Sequence, residues 1–269
     1  MSASVSDAIP GAGLNPERMP GHLLLAQLGK RVLRPGGIGL TRRLLGMAQI
    51  GEGDRVVELA PGVGATARLV VAARPASYTG VDRDAMAAAV TETFLEAGAD
   101  QRCIVASAEA TTLPDECATV VIGEAMLTMQ REQRKREIVA EAWRLLEPGG
   151  RYVIHELSLV PDDLDPAVEN DLCATLSETI HVGARPLTVA AWKQLLAAQG
   201  FVVVGQADAA MGLLHPSRVV RDEGFGALRI AFNLLRRPQA RRRVLAMRRT
   251  FRRHRDHLSS IGLVAVKPT

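Results

Sequence analysis

With 269 residues, 47% of them hydrophobic and 23% charged, the chain is long enough to bury a full core, and its composition excludes a disordered or fibrous protein. No apolar run approaches the ~20 residues that a spanning helix needs, and the first twenty residues show neither an export nor an organelle pattern, so a cytoplasmic location is expected. The net charge of +4 hides an asymmetry, because Arg236 to Arg255 holds ten arginines and no acid, while the rest of the chain is mildly acidic.

A Gly- and Pro-punctuated start, residues 1 to 20, reads as a flexible tail. A helix is predicted over Gly21 to Arg34, a break at Pro35-Gly36-Gly37, and a second helix over Leu40 to Ala48. Strands and helices then alternate. Arg55 to Leu59 is a short apolar strand ending in a Gly-rich turn, and Ala65 to Ala73 is the helix that leaves it. Tyr78 to Asp82 is the second strand, followed by an Ala-rich helix from about Asp84 to Ala97. Arg102 to Ala106 and Ala118 to Gly123 are the third and fourth strands, Arg131 to Leu146 is a helix, and Arg151 to Leu157 is the fifth strand. Leu187 to Gln199 is another helix, Phe201 to Gly205 the sixth strand and Ile261 to Val266 the seventh. Between the last two lies an insertion over about 211–258, read as two helices separated near Pro238. Such alternation predicts one α/β domain over 21–269, a Rossmann-like seven-stranded, mostly parallel sheet with helices on both faces.

Cys103, Cys117 and Cys173 are scattered without a C-x-x-C spacing, and the close pair His254 and His257 sits in the Arg-rich stretch, so no metal is expected. The chemistry concentrates instead in Glu58-Leu59-Ala60-Pro61-Gly62-Val63-Gly64, with Asp82 closing the next strand. Glycines there let the backbone approach a ligand at the helix amino terminus, and an acid at the next strand's tip can accept hydrogen bonds from ribose hydroxyls. Gly62 to Ala67 also satisfies the dinucleotide pattern G-x-G-x-x-G/A, which makes an NAD(P)-dependent oxidoreductase the competing reading. Charge favours the other cofactor class: a pyrophosphate is anionic, S-adenosylmethionine presents an ammonium and a sulfonium, and Glu58 stands just before the turn. Neither tyrosine begins the Tyr-x-x-x-Lys pair of a short-chain dehydrogenase.

From about Leu33 to Val204 the chain resembles the class I S-adenosylmethionine-dependent methyltransferases, nearest to the quinone-biosynthesis type and related small-molecule enzymes. Glu58 to Gly64 resembles the family's acidic-x-Gly-x-Gly-x-Gly motif, which holds the methionine end of the cofactor, with Ala60 in place of the first glycine. Asp82 falls at the ribose-binding acid, and Ser107-Ala108-Glu109 resembles the adenine-contacting Asp-Ala-Glu, with Ser107 where Asp is usual. Leu146 to Arg151 looks like the Leu-x-Pro-Gly-Gly turn before the fifth strand. The resemblance implies S-adenosyl-L-methionine as cofactor, S-adenosyl-L-homocysteine as product, and Glu58, Ala60, Pro61, Gly62, Gly64, Asp82, Ser107, Ala108 and Glu109 as cofactor-binding residues.

Methyl transfer from a sulfonium is carried largely by positioning, so catalytic residues leave little trace in a sequence. The ligand crevice of an open α/β sheet lies beyond the carboxyl ends of the strands, which makes Glu124, His155 and Glu156 the polar catalytic candidates. His155 and Glu156, as strand neighbours, point to opposite faces. The fourth strand lacks the Asn/Asp-Pro-Pro-Tyr/Phe segment of amino-methylating DNA enzymes, so a small-molecule acceptor is expected. Met126, Leu127, Met129, Met211, Leu213, Leu214 and Phe232 either line an apolar acceptor pocket or belong to the core. The insertion is expected to be a helical lid whose second helix turns Val244, Met247, Phe251 and Leu258 inward and Arg242, Arg249 and Arg253 to solvent. A methyltransferase-fold protein that binds or modifies RNA, and a helix lying on acidic lipid, are the alternatives for that basic segment; neither nucleic acid nor membrane is the expected partner.

Overall fold

A computed structural model describes residues 11, 13–96 and 98–269. The sheet runs in the order β3-β2-β1-β4-β5-β8-β7, formed by β1 (Arg55–Leu59), β2 (Ser77–Asp82), β3 (Gln101–Val105), β4 (Ala118–Glu124), β5 (Leu146–Leu159), β7 (Val202–Ala210) and β8 (Leu258–Val266). An eighth strand, the two-residue β6 (Leu187–Thr188), pairs with the far end of β5. The pairings among β1 to β6 are parallel, and β8 lies antiparallel between β5 and β7. Val120, Val121 and Ile122 of β4 are all buried, as a central parallel strand covered on both faces requires.

Alternation along the strands splits the core into two layers. On one face Val57, Leu59, Val121, Tyr152 and Ile154 meet Ile138 and Ala142 of α5 (Glu132–Leu145) and Trp192 of α7 (Val189–Ala197). On the other, Val56, Tyr78, Val120, Ile122 and Val153 meet Leu40 and Leu44 of α2 (Gly37–Ala48) and Ala67 and Val70 of α3 (Ala65–Ala72). α4 (Ala85–Glu92) follows β2, and the expected helix end at Ala97 lies outside the described residues. The order reverses between β1 and β4, opening the crevice beyond their carboxyl ends where ligands of such sheets bind.

Four expectations need correction. The first helix, α1 (Gly21–Gln27), stops well short of Arg34: Gly29 takes a φ of +101°, outside the helical region, and Glu223 captures the backbone N–H groups of Arg31 and Val32. A helix unassigned from sequence, α6 (Pro166–Ile180), covers β5 with Leu172 and Leu176; its Asp165 cap accepts from the Ala167 N–H and its proline stands at the first turn. The insertion holds three helices, α8 (Pro216–Glu223), α9 (Gly226–Arg236) and α10 (Pro238–Arg253), because Gly224 breaks the first with a φ of 55°. Leu258 belongs to β8, so the inward stripe of α10 is Val244, Met247 and Phe251, packed on Leu24, Leu25 and Leu28 of the α1 region and on Ile180.

Of the presumed tail, residues 1–10 and 12 lie outside the described residues. Met19 is in the core, and Arg243 of α10 donates to the carbonyls of Pro16 and Met19.

Candidate functional site

The turn from β1 into α3 is built from three residues with left-handed backbone, Ala60, Gly62 and Gly64, at φ values of 56°, 59° and 72°. Ala60 therefore adopts the conformation that the glycine of the related motif would supply, at a steric cost. At Gly64 a Cβ would in addition require the ring of Phe94 to move. The Ala60 N–H is satisfied by the Val81 carbonyl at 2.8 Å, which ties the turn to the end of β2.

At the tip of β2 the Asp82 carboxylate is 6% exposed and accepts from the N–H of Gly62 at 3.0 Å and of Asp84 at 2.9 Å. Each oxygen keeps a second lone pair, so two hydroxyls can still be accepted. Burial raises its pKa and the two N–H groups oppose the rise. Glu58 is buried beneath the turn, and its carboxyl accepts from the Tyr78 hydroxyl at 2.8 Å. Burial pushes its pKa up to about 8 against that hydrogen bond, with Glu124 adding to the rise. A cation set beside Glu58 would relieve this cost of ionisation.

These groups line a cavity of about 440 Å³, within the usual range for small-ligand sites. Of the residues predicted to hold a cofactor, Glu58, Ala60, Pro61, Gly62, Asp82, Ala108 and Glu109 line it. Gly64 and Ser107 do not: Gly64 caps α3 behind the turn, and Ser107 bridges to Ala110. Glu109 is paired with Arg134, which also lines the cavity.

The three catalytic candidates are placed differently from one another. Glu124, at the end of β4, lines the cavity and is held by Arg34, Thr66, Thr41 and His155. Burial would raise its pKa, but the Arg34 guanidinium and then the hydrogen bond from His155 outweigh it and hold the carboxylate at about 2. His155 is fully buried behind it. Its Nε2 accepts from the Gly36 N–H at 3.2 Å while Nδ1 faces Glu124 Oε1 at 2.9 Å, which fixes the tautomer with the proton on Nδ1. Glu156, on the opposite face, accepts from the N–H groups of Met126, Leu127 and Thr128 and from the Thr128 hydroxyl, so it shapes the loop after β4 and does not reach the cavity.

Sequence reasoning missed Arg34 and His22. Arg34 stands beyond the true end of α1, and only the fold brings it 90 positions along the chain to Glu124. His22 carries no motif; it lines both the large cavity and a second, smaller one of about 110 Å³. Burial, and after it the charge of Arg83, lowers its pKa, so its imidazole is neutral at physiological pH. Among the described residues its ring makes no hydrogen bond. The smaller cavity shares His22, Leu33, Ala125 and Met129 with the first and is otherwise mostly apolar, with Leu25, Leu157, Ile180, Met211, Met247 and Phe251 among its walls. Of the residues weighed as pocket or core, Met129, Met211 and Leu213 line it, Leu127 and Leu214 are core, and Phe232 is exposed.

Residues 57–154 match the family model described as a methyltransferase domain. An uncharacterized protein of Haemophilus influenzae is 34% identical over 251 residues, covering 92% of this chain and 98% of that one. The chain belongs to the class I S-adenosylmethionine-dependent methyltransferases. This settles which of the two cofactor classes the Gly62 to Ala67 turn serves, and S-adenosylmethionine is the cofactor of this enzyme. The 27-O-demethylrifamycin SV methyltransferase of Amycolatopsis mediterranei is 28% identical over 123 residues, 45% of each chain. Among solved structures, the Haemonchus contortus phosphoethanolamine N-methyltransferase 2 in complex with S-adenosyl-L-methionine superposes with a TM-score of 0.69 over 100% of this chain and 61% of that one, at 16% identity. At that identity the likeness is one of fold.

Proposed function

We propose that this methyltransferase acts on an apolar small molecule seated in the smaller cavity, with His22 as the proton acceptor at the junction. The observation that carries the reading is that His22, Leu33, Ala125 and Met129 line both cavities, so an acceptor in the apolar one adjoins the cofactor cavity. The cofactor supplies a methyl group on an electrophilic sulfonium. In this reading Glu58 and the 60–64 turn hold its methionine end, Asp82 its ribose and the 107–109 segment its adenine. Gly64 supports the turn from behind.

The remaining polar groups divide by their surroundings. A carboxylate at about 2, such as Glu124, is too weak a base near neutrality, since useful general bases lie near the working pH. Glu124 and His155 serve instead to position the cavity floor through Arg34, Thr41 and Thr66, and Glu156 fixes the loop at Ala125 to Met129 that walls both cavities. His22 has a free lone pair and is the group placed to take a proton from an acceptor hydroxyl or amine. Met211, Leu213, Met247 and Phe251 come from the insertion and its entry, which supports 211–258 as a lid over the acceptor. That the Amycolatopsis relative is named for a demethylated rifamycin supports a small-molecule acceptor.

The test is methyl incorporation from labelled cofactor across a panel of apolar phenols, fatty acids and alkylamines, followed by His22→Asn on whichever acceptor turns over. Loss of about 10²-fold or more in kcat, disappearance of the acid limb of the pH profile and unchanged S-adenosylhomocysteine affinity are expected. Wild-type turnover in His22→Asn overturns the assignment of the base, and turnover confined to polar acceptors overturns the apolar class.

A further inference from the structure

Helix α9 is apolar on two opposite sides. Ile230 is buried, Leu234 packs on the α1 and α10 cluster, and Asn233 donates to the Leu28 carbonyl. Phe225, at the helix cap, and Leu228, Phe232 and Leu235 recur at spacings of three and four, which puts them on one side of the helix, and they are 94%, 71%, 54% and 69% exposed. An exposed row of large apolar side chains of this kind marks an interaction site. Val220 on α8 and Leu245 on α10 are further exposed apolar side chains of the same insertion.

Charge identifies what covers it. Between Pro216 and Arg255 the sequence holds thirteen arginines and only two acids, Asp222 and Glu223. Both acids point inward, Asp222 accepting from the Ile38 N–H and Glu223 pairing with Lys30. Arg236, Arg241, Arg242, Arg248, Arg249 and Arg253 are exposed, and the Arg236 guanidinium lies 5.2 Å from the Phe232 ring centre. A second copy of the chain would bring the same positive field to an isologous contact, and a nucleic acid offers phosphates but no home for Leu228 and Leu235. An acidic lipid interface accommodates both, with rings and leucines among the acyl chains and arginines at the headgroups. No helix among the described residues is long and apolar enough to cross a membrane, so attachment is to one surface.

We propose that α9, with the arginine-bearing outer face of α10, docks the protein on an anionic lipid bilayer. The inner face of α10 contributes Met247 and Phe251 to the smaller cavity, so a docked protein would present that cavity's lid to molecules dissolved in the membrane. That consequence rests on the apolar-acceptor reading; docking itself does not, because vesicle binding is measured without cofactor or acceptor.

The experiment is co-sedimentation of the full chain with phosphatidylcholine vesicles, with and without phosphatidylglycerol, at about 0.15 M salt. Binding only to the anionic vesicles is expected, reduced roughly tenfold or more by Phe225→Ser, Leu228→Ser and Leu235→Ser together, and weakened by added salt. Should the triple variant misfold, Phe225→Trp reports instead, the emission of its added indole expected to shift to the blue on anionic vesicles. Absence of wild-type binding, equal binding by a folded triple variant, or an unshifted emission from Phe225→Trp would overturn the proposal. So would a dimer that the triple variant converts to monomer, or RNA binding abolished by Arg242→Glu and Arg249→Glu but untouched by the serine changes.

Discussion

The Tyr78 hydroxyl donates to the buried Glu58 carboxyl across 2.8 Å, joining the tip of β1 to its neighbour β2 under the cofactor turn. With its pKa at about 8, Glu58 carries a proton at neutral pH in the free protein. An ammonium set beside Glu58 favours the ionised form, so binding S-adenosylhomocysteine by its amino-acid end at pH 7 should release a proton, and affinity should rise as pH approaches 8. Calorimetry in buffers of different ionisation enthalpy measures that proton, and Glu58→Gln should abolish its release while weakening binding. The same shift has the opposite sign for folding. A carboxyl whose native pKa lies above its unfolded value contributes stability that is full below about 4.5 and is lost as pH rises through about 8, at ~1.4 kcal/mol for each unit of displacement. The free Glu58→Gln protein should therefore melt higher than wild type at pH 8; a lower melting point would refute the buried, protonated carboxyl.

Asp82→Ala removes the acceptor for two backbone N–H groups and the proposed ribose contact together. Loss of charge-assisted hydrogen bonds of this kind costs on the order of 1.5 to 3 kcal/mol, or about tenfold or more in cofactor affinity. Because Gly62 and Asp84 are also left unpaired, a fall in melting temperature should accompany it. Asp82→Asn, which keeps an oxygen acceptor, separates the two effects: it should recover part of the stability but little of the affinity. Full affinity in the alanine variant would remove Asp82 from the ribose site.

Ala60 holds a left-handed backbone at a φ of 56°, a conformation that costs an L-residue roughly 1 to 2 kcal/mol. Ala60→Gly relieves that cost but adds unfolded-chain entropy of roughly 0.5 to 1 kcal/mol, so a net gain of up to about 1.5 kcal/mol is expected. Chemical denaturation reads it directly. The substitution should leave cofactor affinity within a few-fold of wild type, since the Ala60 N–H already bonds to Val81.

The parts of the site that lie close along the chain were legible before the fold was known. Glu58, Gly62 and Asp82 announce themselves because a turn, a strand end and a charge are local facts, and the strands around them are unbroken apolar runs such as Val120 to Ile122. Contacts across long separations left no such trace. Nothing near Arg34 in sequence indicates Glu124, and nothing near His22 indicates two adjoining cavities. Glu156 looked like a strand-end acid until the three N–H groups of the loop after β4 were seen to occupy it. The insertion holds one helix more than its sequence suggests because a single residue, Gly224, parts α8 from α9 without a proline to mark the break.

Lys30 and Glu223 form an ion pair at 3.2 Å whose side chains are 1% and 3% exposed, joining α8 of the insertion to the segment between α1 and α2. Glu223 also receives the N–H groups of Arg31 and Val32, and that segment continues into Arg34, the partner of Glu124. Glu223→Ala would leave an ammonium buried without its counter-charge, which typically destabilises by about 3 to 5 kcal/mol. It would also free the insertion from the wall of the cofactor cavity, so the KM for an acceptor should rise more than the dissociation constant of S-adenosylhomocysteine. Replacing both partners by apolar residues of similar size, Lys30→Met with Glu223→Leu, removes the buried charge without stranding one. The double variant should regain much of the lost stability, short of what the two N–H bonds contribute, yet keep the raised KM because those N–H anchors are gone. Thermal melts and acceptor kinetics on the two variants side by side decide the matter. Equal destabilisation in both would place the stability in the N–H bonds and not in the ion pair. An unchanged KM in both would mean that α8 does not hold the lid to the site.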